Sequence, residues 1–299
     1  MRADDLILFT QVVDLGSFTR VAEQNNLTNS VVSKRIGKLE DELGIQLLYR
    51  TTRKLRLTEA GETLYQGAKN VKLATEAVQE AVSDLGQSMT GHIKMSVPTI
   101  SGDLVLADAV AEFCSMHPGL TVDMSLNNRF VDLIEDGYDL VVRTGHLEDS
   151  TLIARHLIDS QWVVCASPKY IAQHGRPLLP QDLLEHNCLL YAYQATGAAD
   201  WQFKDGDRHY ILRISGNFST DTAGALRKAA LGGYGVAYVP RCLVYHDIQK
   251  GDLVDLLPDQ VGKRLGIYAV YPYSRHPLKK VTKLIEHIKH RYSQIGDYF

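Results

Sequence analysis

"LTNSVVSKRIGKLEDELGIQLLYRTTRKLRLTEAG", residues 27–61, holds Lys34, Arg35, Lys38, Arg50, Arg53, Lys54 and Arg56, interleaved with Ser, Thr and Asn. The chain as a whole carries a net charge of −3 over 299 residues. Cations gathered in one short stretch of an acidic protein point to one local surface that meets a polyanion, because binding responds to local potential. On a wheel of about 100° per residue, Val32, Ile36, Leu39 and Leu43 form one apolar stripe. Ser30, Ser33, Lys34, Gly37 and Lys38 fall on the opposite face. Thr28 is placed to cap this helix, Gly44 to end it, and Asn29 sits where the helix dipole is positive. Short polar side chains with lysines are what a helix needs to enter the DNA major groove by its N-terminal end.

The elements around it are short. Leu6, Phe9, Val12 and Val13 recur at helical spacing, and Gly16 stops that helix. Ser17 is the N-cap of a second, "FTRVAEQNN" (18–26), which closes on the polar turn Asn25-Asn26. After Gly44, "QLLYRTTRKLRLT" (46–58) reads as two short strands around a cationic turn. Arg50, Thr51, Thr52, Arg53 and Lys54 there are suited to clamp phosphates beside the groove. The candidate DNA-contacting set is therefore Ser17, Phe18, Thr28, Asn29, Ser30, Ser33, Lys34, Arg35 and Lys38, with Arg50 to Lys54 as the wing.

From Glu59 to about Gly86 runs one long helical pattern, in which Leu64, Ala68, Val71, Thr75, Val78, Val82 and Leu85 alternate steps of four and three. That period is a coiled-coil seam, which seeks either a second copy or its own domain. "GQSMTGH" (86–92) is a linker of small residues. Beyond it, strands alternate with helices, the signature of an α/β domain with mainly parallel sheets. Strands are expected at "HIKMSV" (92–97), "PGLTVDMSL" (118–126), "YDLVVRTG" (138–145) and, as one or two, "LIDSQWVVCASP" (157–168). Helices are expected up to Met116, up to Asp136, in "GALRKAAL" (224–231) and in the closing "HPLKKVTKLIEHIKHRY" (276–292). "WQFKDGDRHYILRI" (201–214) reads as a hairpin turning at Asp205-Gly206.

The segment "SFTRVAEQNNLTNSVVSKRIGKLEDELGIQLLYRTTRKLRLTEAG" resembles the N-terminal domain of LysR-type transcriptional regulators: helix-turn-helix, "LE-x-x-LG-x-x-L", an "R-x-x-R" wing and "LT-x-AG". The likeness continues through the long helix, "YDLVVRTG" and "AALGGYGVAYVP". "DSTLIARHL", "WQF" and "LVYHDIQKGDLVDLLP" look like the branch that includes the CrgA and AphB regulators. Val31, Lys34 and Tyr49 stand where Ala, Arg and Phe are common, and Lys34 lacks the bidentate fork of Arg.

The resemblance implies an α/β chain overall: a winged helix-turn-helix at 1–58, a linker and dimerisation helix with hinge at 59–90, and an effector-binding domain at 91–299. That last domain would be two-lobed and similar to periplasmic solute-binding proteins of type II. Lobe one would take about 92–160 and 267–299, and lobe two about 161–266. The implied function is a sequence-specific regulator whose promoter binding and bending respond to a small molecule between the lobes. Implied partners are double-stranded promoter DNA, the effector, a second copy through the linker helix building to a tetramer, and RNA polymerase as a further candidate. No cofactor and no metal are implied.

Ligands in such folds sit at strand ends where helices begin. Thr99, Ile100 and Ser101 follow a strand and can offer hydroxyls and N–H groups to an anion, unless they serve only as caps. Asn127 and Asn128 end the next strand, and Arg143 ends another, either as the anion's partner or in a structural ion pair. Thr220 and Asp221 in "STDT" and Tyr193 in a facing loop complete the candidate effector set, which leans toward a small organic anion. A competing reading is a switch by cysteine oxidation or pH. Cys165 and Cys188 are its candidates, against a reading of all four cysteines as small buried hydrophobes. An enzyme or a solute-binding protein on the same fold is the third. The start "MRADDLILFT" lacks a signal peptide's apolar core, and no readable Ser-His-Asp, Cys-His or metal spacing occurs. The four cysteines are scattered with no CxxC, which fits a reducing cytoplasm, no apolar run reaches membrane length, and the resemblance implies a bacterial protein.

Overall fold

The computed structural model describes residues 1–49, 55–83, 89–129, 131–134, 136–145, 152–192, 197–273 and 278–299. The chain divides into two compact units, one built mainly of residues 1–89 and the other mainly of residues from 90 onward.

In the first unit, α1 (Ala3–Leu15), α2 (Phe18–Gln24) and α3 (Asn29–Leu43) are followed by β1 (Leu48–Tyr49), β2 (Arg56–Leu57) and α4 (Glu59–Ser83). Gly16 and Gly44 end α1 and α3 in left-handed conformations, which glycine adopts without steric cost. Ser17 and Thr28 accept hydrogen bonds from the Arg20 and Val31 amides, as N-caps do. Phe9, Val12, Val21, Val32, Ile36 and Leu39 close the core. Leu43, expected in the same stripe, is instead 37% exposed, because α3 ends there and the chain turns away at Gly44.

The residues around β1 and β2 lock helix and strand together. Glu40 Oε1 accepts the amides of Leu47 (2.8 Å) and Leu48 (3.2 Å), so α3 positions the strand that follows it. Thr58 caps α4 by accepting the Gly61 amide at 3.0 Å and donates to the Gln46 carbonyl at 2.7 Å. A β-carbon at Gly61 would stand 2.1 Å from the Leu47 carbonyl oxygen. The beginning of α4 thus lies directly on the strand backbone.

Leu64, Ala68 and Val71, the proximal part of the seam, pack on this same core. Val78 is 65% exposed. The seam therefore divides: its first half belongs to its own domain, and an outward apolar position remains further along. Leu85 lies outside the described residues.

The second unit contains β3 (Thr90–Val97), α5 (Thr99–Ser101), a π-helical turn (Gly102–Leu106), α6 (Ala107–Met116), β4 (Gly119–Leu126), β5 (Leu140–Thr144) and β6 (Leu152–Ala166). Then come α7 (Pro168–His174), a 3-10 turn (Pro180–Glu185), β7 (Cys188–Tyr191), β8 (Asp200–Asp205), β9 (Arg208–Arg213), β10 (Ser219–Thr220) and α8 (Ala223–Leu231). β11 (Val236–Pro240), α9 (Arg241–Lys250), β12 (Val254–Asp255), β13 (Arg264–Pro272), α10 (Lys279–Gln294) and a 3-10 turn (Gly296–Tyr298) finish it.

The strands run in the order β10-β7-β11-β6-β13-β5-β3-β4, with β12 also on β6. β3 is parallel to β4 and β5, and β7 is parallel to β10 and β11. The two parallel sets are joined by β6 and β13. β6 pairs with β13 as far as Gln161, then with β11 from Trp162 onward. One strand thus serves both lobes, and its apolar second half (Trp162 to Ala166) is buried in the second lobe's core.

Residues 131–138 correct one expectation. In place of a short helix to Asp136, the described residues form turns. Asp132 Oδ1 accepts the Ile134 amide at 2.9 Å, and such a local bond competes with helix formation. Of the 157–168 stretch, residues 157–166 lie in the single strand β6 while Ser167 caps α7 and Pro168 opens it, and the hairpin β8–β9 closes at Asp205–Arg208 around Gly206.

Candidate functional site

In the first unit, α3 presents Asn29, Ser30, Val31, Lys34 and Lys38 to solvent, with Ser33 half-exposed. Asn29 Nδ2 donates to Thr19 Oγ1 at 3.1 Å, which ties the start of α3 to α2. Thr28 and Ser30 hydroxyls lie 3.1 Å apart. Lys38 makes only a loose 3.9 Å approach to Glu42, so its charge stays available. Arg35 is different. Its Nε donates to Asp5 at 2.6 Å, and this pins α3 on α1. Phe18 is half-buried against the core, and Ser17 is occupied as a cap. The exposed face is therefore Asn29, Ser30, Val31, Ser33, Lys34 and Lys38. Val31, absent from the sequence-based set, lies one helical turn before Lys34 and two before Lys38. Arg50 to Lys54, the candidate wing, lie outside the described residues, although β1 and β2 on either side pair antiparallel.

In the second unit, polar groups from both lobes meet at the ends of the parallel strands. Asn128, just past β4, accepts the Thr99 amide at 3.1 Å. Its Nδ2 donates to Thr99 Oγ1 at 3.0 Å and to Tyr191 Oη at 3.3 Å. Tyr191 ends β7, so this set spans the lobes. Ile100 packs on the second lobe's core beside it. Asn127 Nδ2 donates to Ser96 Oγ at 3.3 Å. Thr220 ends β10 half-buried, and the exposed Asp221 and Thr222 follow it before α8, with the Thr222 amide donating to Thr220 Oγ1 at 3.2 Å. Arg143 sits near the end of β5, and burial pulls its pKa below the ordinary value while Tyr138 acts the other way.

Two details revise the expected chemistry. The Thr99 amide is already engaged by Asn128, so this N–H meets an incoming anion only if Asn128 moves. Ser101 is buried beneath Tyr292: burial pushes that phenol's pKa up, and the nearby Ser101 hydroxyl opposes the shift. Ser101 thus belongs to the packing under the cleft. Tyr193 lies outside the described residues. Tyr191, two positions earlier, is the tyrosine that reaches across, and strand alternation alone could not tell the two apart.

Cys165 and Cys188 do not meet. Cys165 pairs with Ala237 of β11, and Cys188 with Val236 of the same strand, so β11 stands between them. Two strand spacings are about 9–10 Å, beyond the ~7 Å limit for a disulfide. Burial pushes the Cys188 and Cys242 thiols up to about 12 and Cys165 higher still, which disfavours the nucleophilic thiolate at all three. Among the described residues, no three His, Cys, Asp or Glu side chains gather as a metal site requires.

Residues 3–62 match the bacterial regulatory helix-turn-helix protein, lysR family, and residues 86–293 match the LysR substrate binding domain. The chain belongs to the LysR family of transcriptional regulators. The CrgA regulator of Neisseria meningitidis is 34% identical over 276 residues, 91% of this chain and 90% of the relative. The transcriptional activator AaeR of Escherichia coli is 33% identical over 298 residues, 100% of this chain and 96% of the relative. Among solved structures, the full-length Vibrio cholerae virulence activator AphB covers 96% of this chain and 98% of its own at 28% identity, with a TM-score of 0.61. The Neisseria meningitidis CrgA structure covers 96% and 99% at 32% identity, with a TM-score of 0.60.

LysR regulators bind DNA through the first matched region, take small-molecule effectors in the second, and oligomerise. The chain is accordingly a DNA-binding regulator and not an enzyme. Among the described residues, no helix is long and apolar enough to cross a membrane.

Proposed function

We propose that this LysR regulator reads promoter DNA with the exposed face of α3 and is switched by a small organic anion held between the lobes of its second unit. The observation that supports the switch is the inter-lobe set Thr99, Asn128 and Tyr191. A ligand that replaces Asn128 at the Thr99 amide and hydroxyl also releases Tyr191, so binding and lobe position are linked. Arg143, Thr220 and Asp221 are the further candidate contacts. A ligand can shift the lobes only by its difference in affinity for the two arrangements.

On the DNA side, Asn29, Ser30, Ser33 and Lys34 read base edges, and Val31 meets a thymine methyl. Lys38 and the 50–54 segment take phosphates. Arg35 serves the fold through Asp5. The domains are 1–58, 59–90 and 91–299, with a dimer through α4 around the exposed Val78 and a tetramer as the assembly, in the cytoplasm. RNA polymerase is a further partner of the promoter-bound form.

The test is a thermal-shift screen of small carboxylates on the full chain, followed by promoter footprints with and without the hit. Thr99→Val with Asn128→Ala should abolish the footprint change while leaving basal promoter binding within about threefold. A double variant whose footprint still changes at the same ligand concentration would place the switch elsewhere.

A further inference from the structure

The last residues of the chain touch parts of the second unit that belong to different lobes. α10 lies with the first lobe: Arg291 pairs with Asp108 of α6 and approaches Glu112 at 3.7 Å, and His287 packs on Phe113 at 5.5 Å. α9 lies with the second lobe, anchored by Val244 in its core and by the Arg227–Asp247 pair to α8 at 2.6 Å. The segment 295–299 leaves α10 and reaches α9. The Tyr298 ring stands 4.4 Å from Tyr245 and 5.2 Å from His246. The Phe299 ring turns back edge-on to Tyr292 at 5.3 Å and is only 6% exposed. The Phe299 main-chain oxygen accepts the Gln161 amide at 3.1 Å. Gln161 is the residue at which β6 leaves β13 for β11.

We propose that residues 295–299 form a strap across the hinge, which sets the resting angle between the lobes and resists their rotation. Any rotation about β6 and β13 carries α9 relative to α10. Tyr298 is held by the first and Phe299 by the second, with only one peptide bond between the two residues. The same motion bends the chain at Gln161, whose amide the strap occupies. The rotation therefore requires separating the Tyr298–Tyr245 contact or releasing the Phe299–Gln161 bond. Aromatic pairs and a backbone hydrogen bond are each stabilising enough to change an opening equilibrium measurably.

The test uses the full chain without any effector, so its outcome does not depend on the cleft reading. Amide hydrogen exchange is measured for Tyr298→Ala, Tyr245→Ala, the double variant and Tyr298→Phe. Tyr298→Ala should raise exchange about tenfold at Gln161 and Trp162, with the core strands β3 and β11 unchanged. Tyr245→Ala should do the same, and the double variant should add little, as expected for one shared contact. Tyr298→Phe, which keeps the ring, should exchange as the parent does. A label pair across the lobes should show a broader distance distribution in Tyr298→Ala than in the parent or in Tyr298→Phe. Unchanged exchange at Gln161, or a rise spread equally over the whole unit, would overturn the strap.

Discussion

Gly61→Ala should destabilise the first unit, although alanine is the better helix former. Gly61 has an ordinary helical backbone and lies in the first turn of α4. In a free helix the substitution would stabilise by about 1 kcal/mol. Here the new β-carbon would stand 2.1 Å from the Leu47 carbonyl oxygen and 3.1 Å from Leu57 Cδ2. That oxygen cannot simply step aside, because it accepts the Thr58 amide at 3.0 Å and the Thr58 hydroxyl at 3.3 Å. Relieving the overlap moves helix and strand apart by about 1 Å. Overpacking of this kind costs about 1–3 kcal/mol, and weakening the two bonds adds about 1 kcal/mol. The net loss is therefore about 2 kcal/mol after the helical gain. Gly67, on the same helix, has nothing within 4 Å of its β-carbon position. Gly67→Ala should stabilise by up to about 1 kcal/mol. Amide exchange of Leu48, Tyr65 and Ala68 in the full chain reads both opening free energies. If the two alanines shift these values in the same direction, close packing of α4 on the strand backbone is refuted.

Arg50→Ala with Arg53→Ala should weaken binding to specific and random DNA alike and flatten the salt dependence by about 0.9 per lost phosphate contact; an unchanged slope removes the wing from the interface. Lys263 is 6% exposed with its ammonium 3.5 Å from the centre of the Trp162 ring, and burial lowers its pKa to about 7. An unfolded lysine titrates near ~10.4. Between those values the unfolded chain holds a proton that the native state has released. Stability should therefore rise from about pH 7 to about pH 10, and Lys263→Met should abolish that rise in urea titrations while stabilising the protein at neutral pH. Asp247→Ala should cost about 2 kcal/mol, below the ~3–5 kcal/mol of a fully buried pair because Arg227 is partly exposed; a loss under half of that would make the pair incidental. Val78→Asp should lower the oligomer mass in sedimentation without unfolding the first unit, and an unchanged mass would move the dimer contact off this part of α4.

Features written in local chemistry are legible from residue order alone. Gly16, Ser17, Thr28 and Gly44 bound their helices where expected, because caps and left-handed turns act within four residues. The alternation of strand and helix after residue 90 discloses the α/β unit for the same reason. Which neighbour a side chain meets is another matter, because it depends on residues far along the chain and emerges only on folding. Arg35 looks like a DNA contact beside Lys34, yet Asp5, thirty positions away, takes it. Val71 looks like Val78 in the heptad, but Val71 packs on the core of its own domain while Val78 faces outward. Asn128 and Tyr191 are sixty-three residues apart and touch only because β6 and β13 bring two parallel sets of strands end to end. Cys165 and Cys188 are kept apart by β11, a strand supplied by residues 236–240. Periodicity reports which face of an element is apolar; it carries no information on which distant element will cover it.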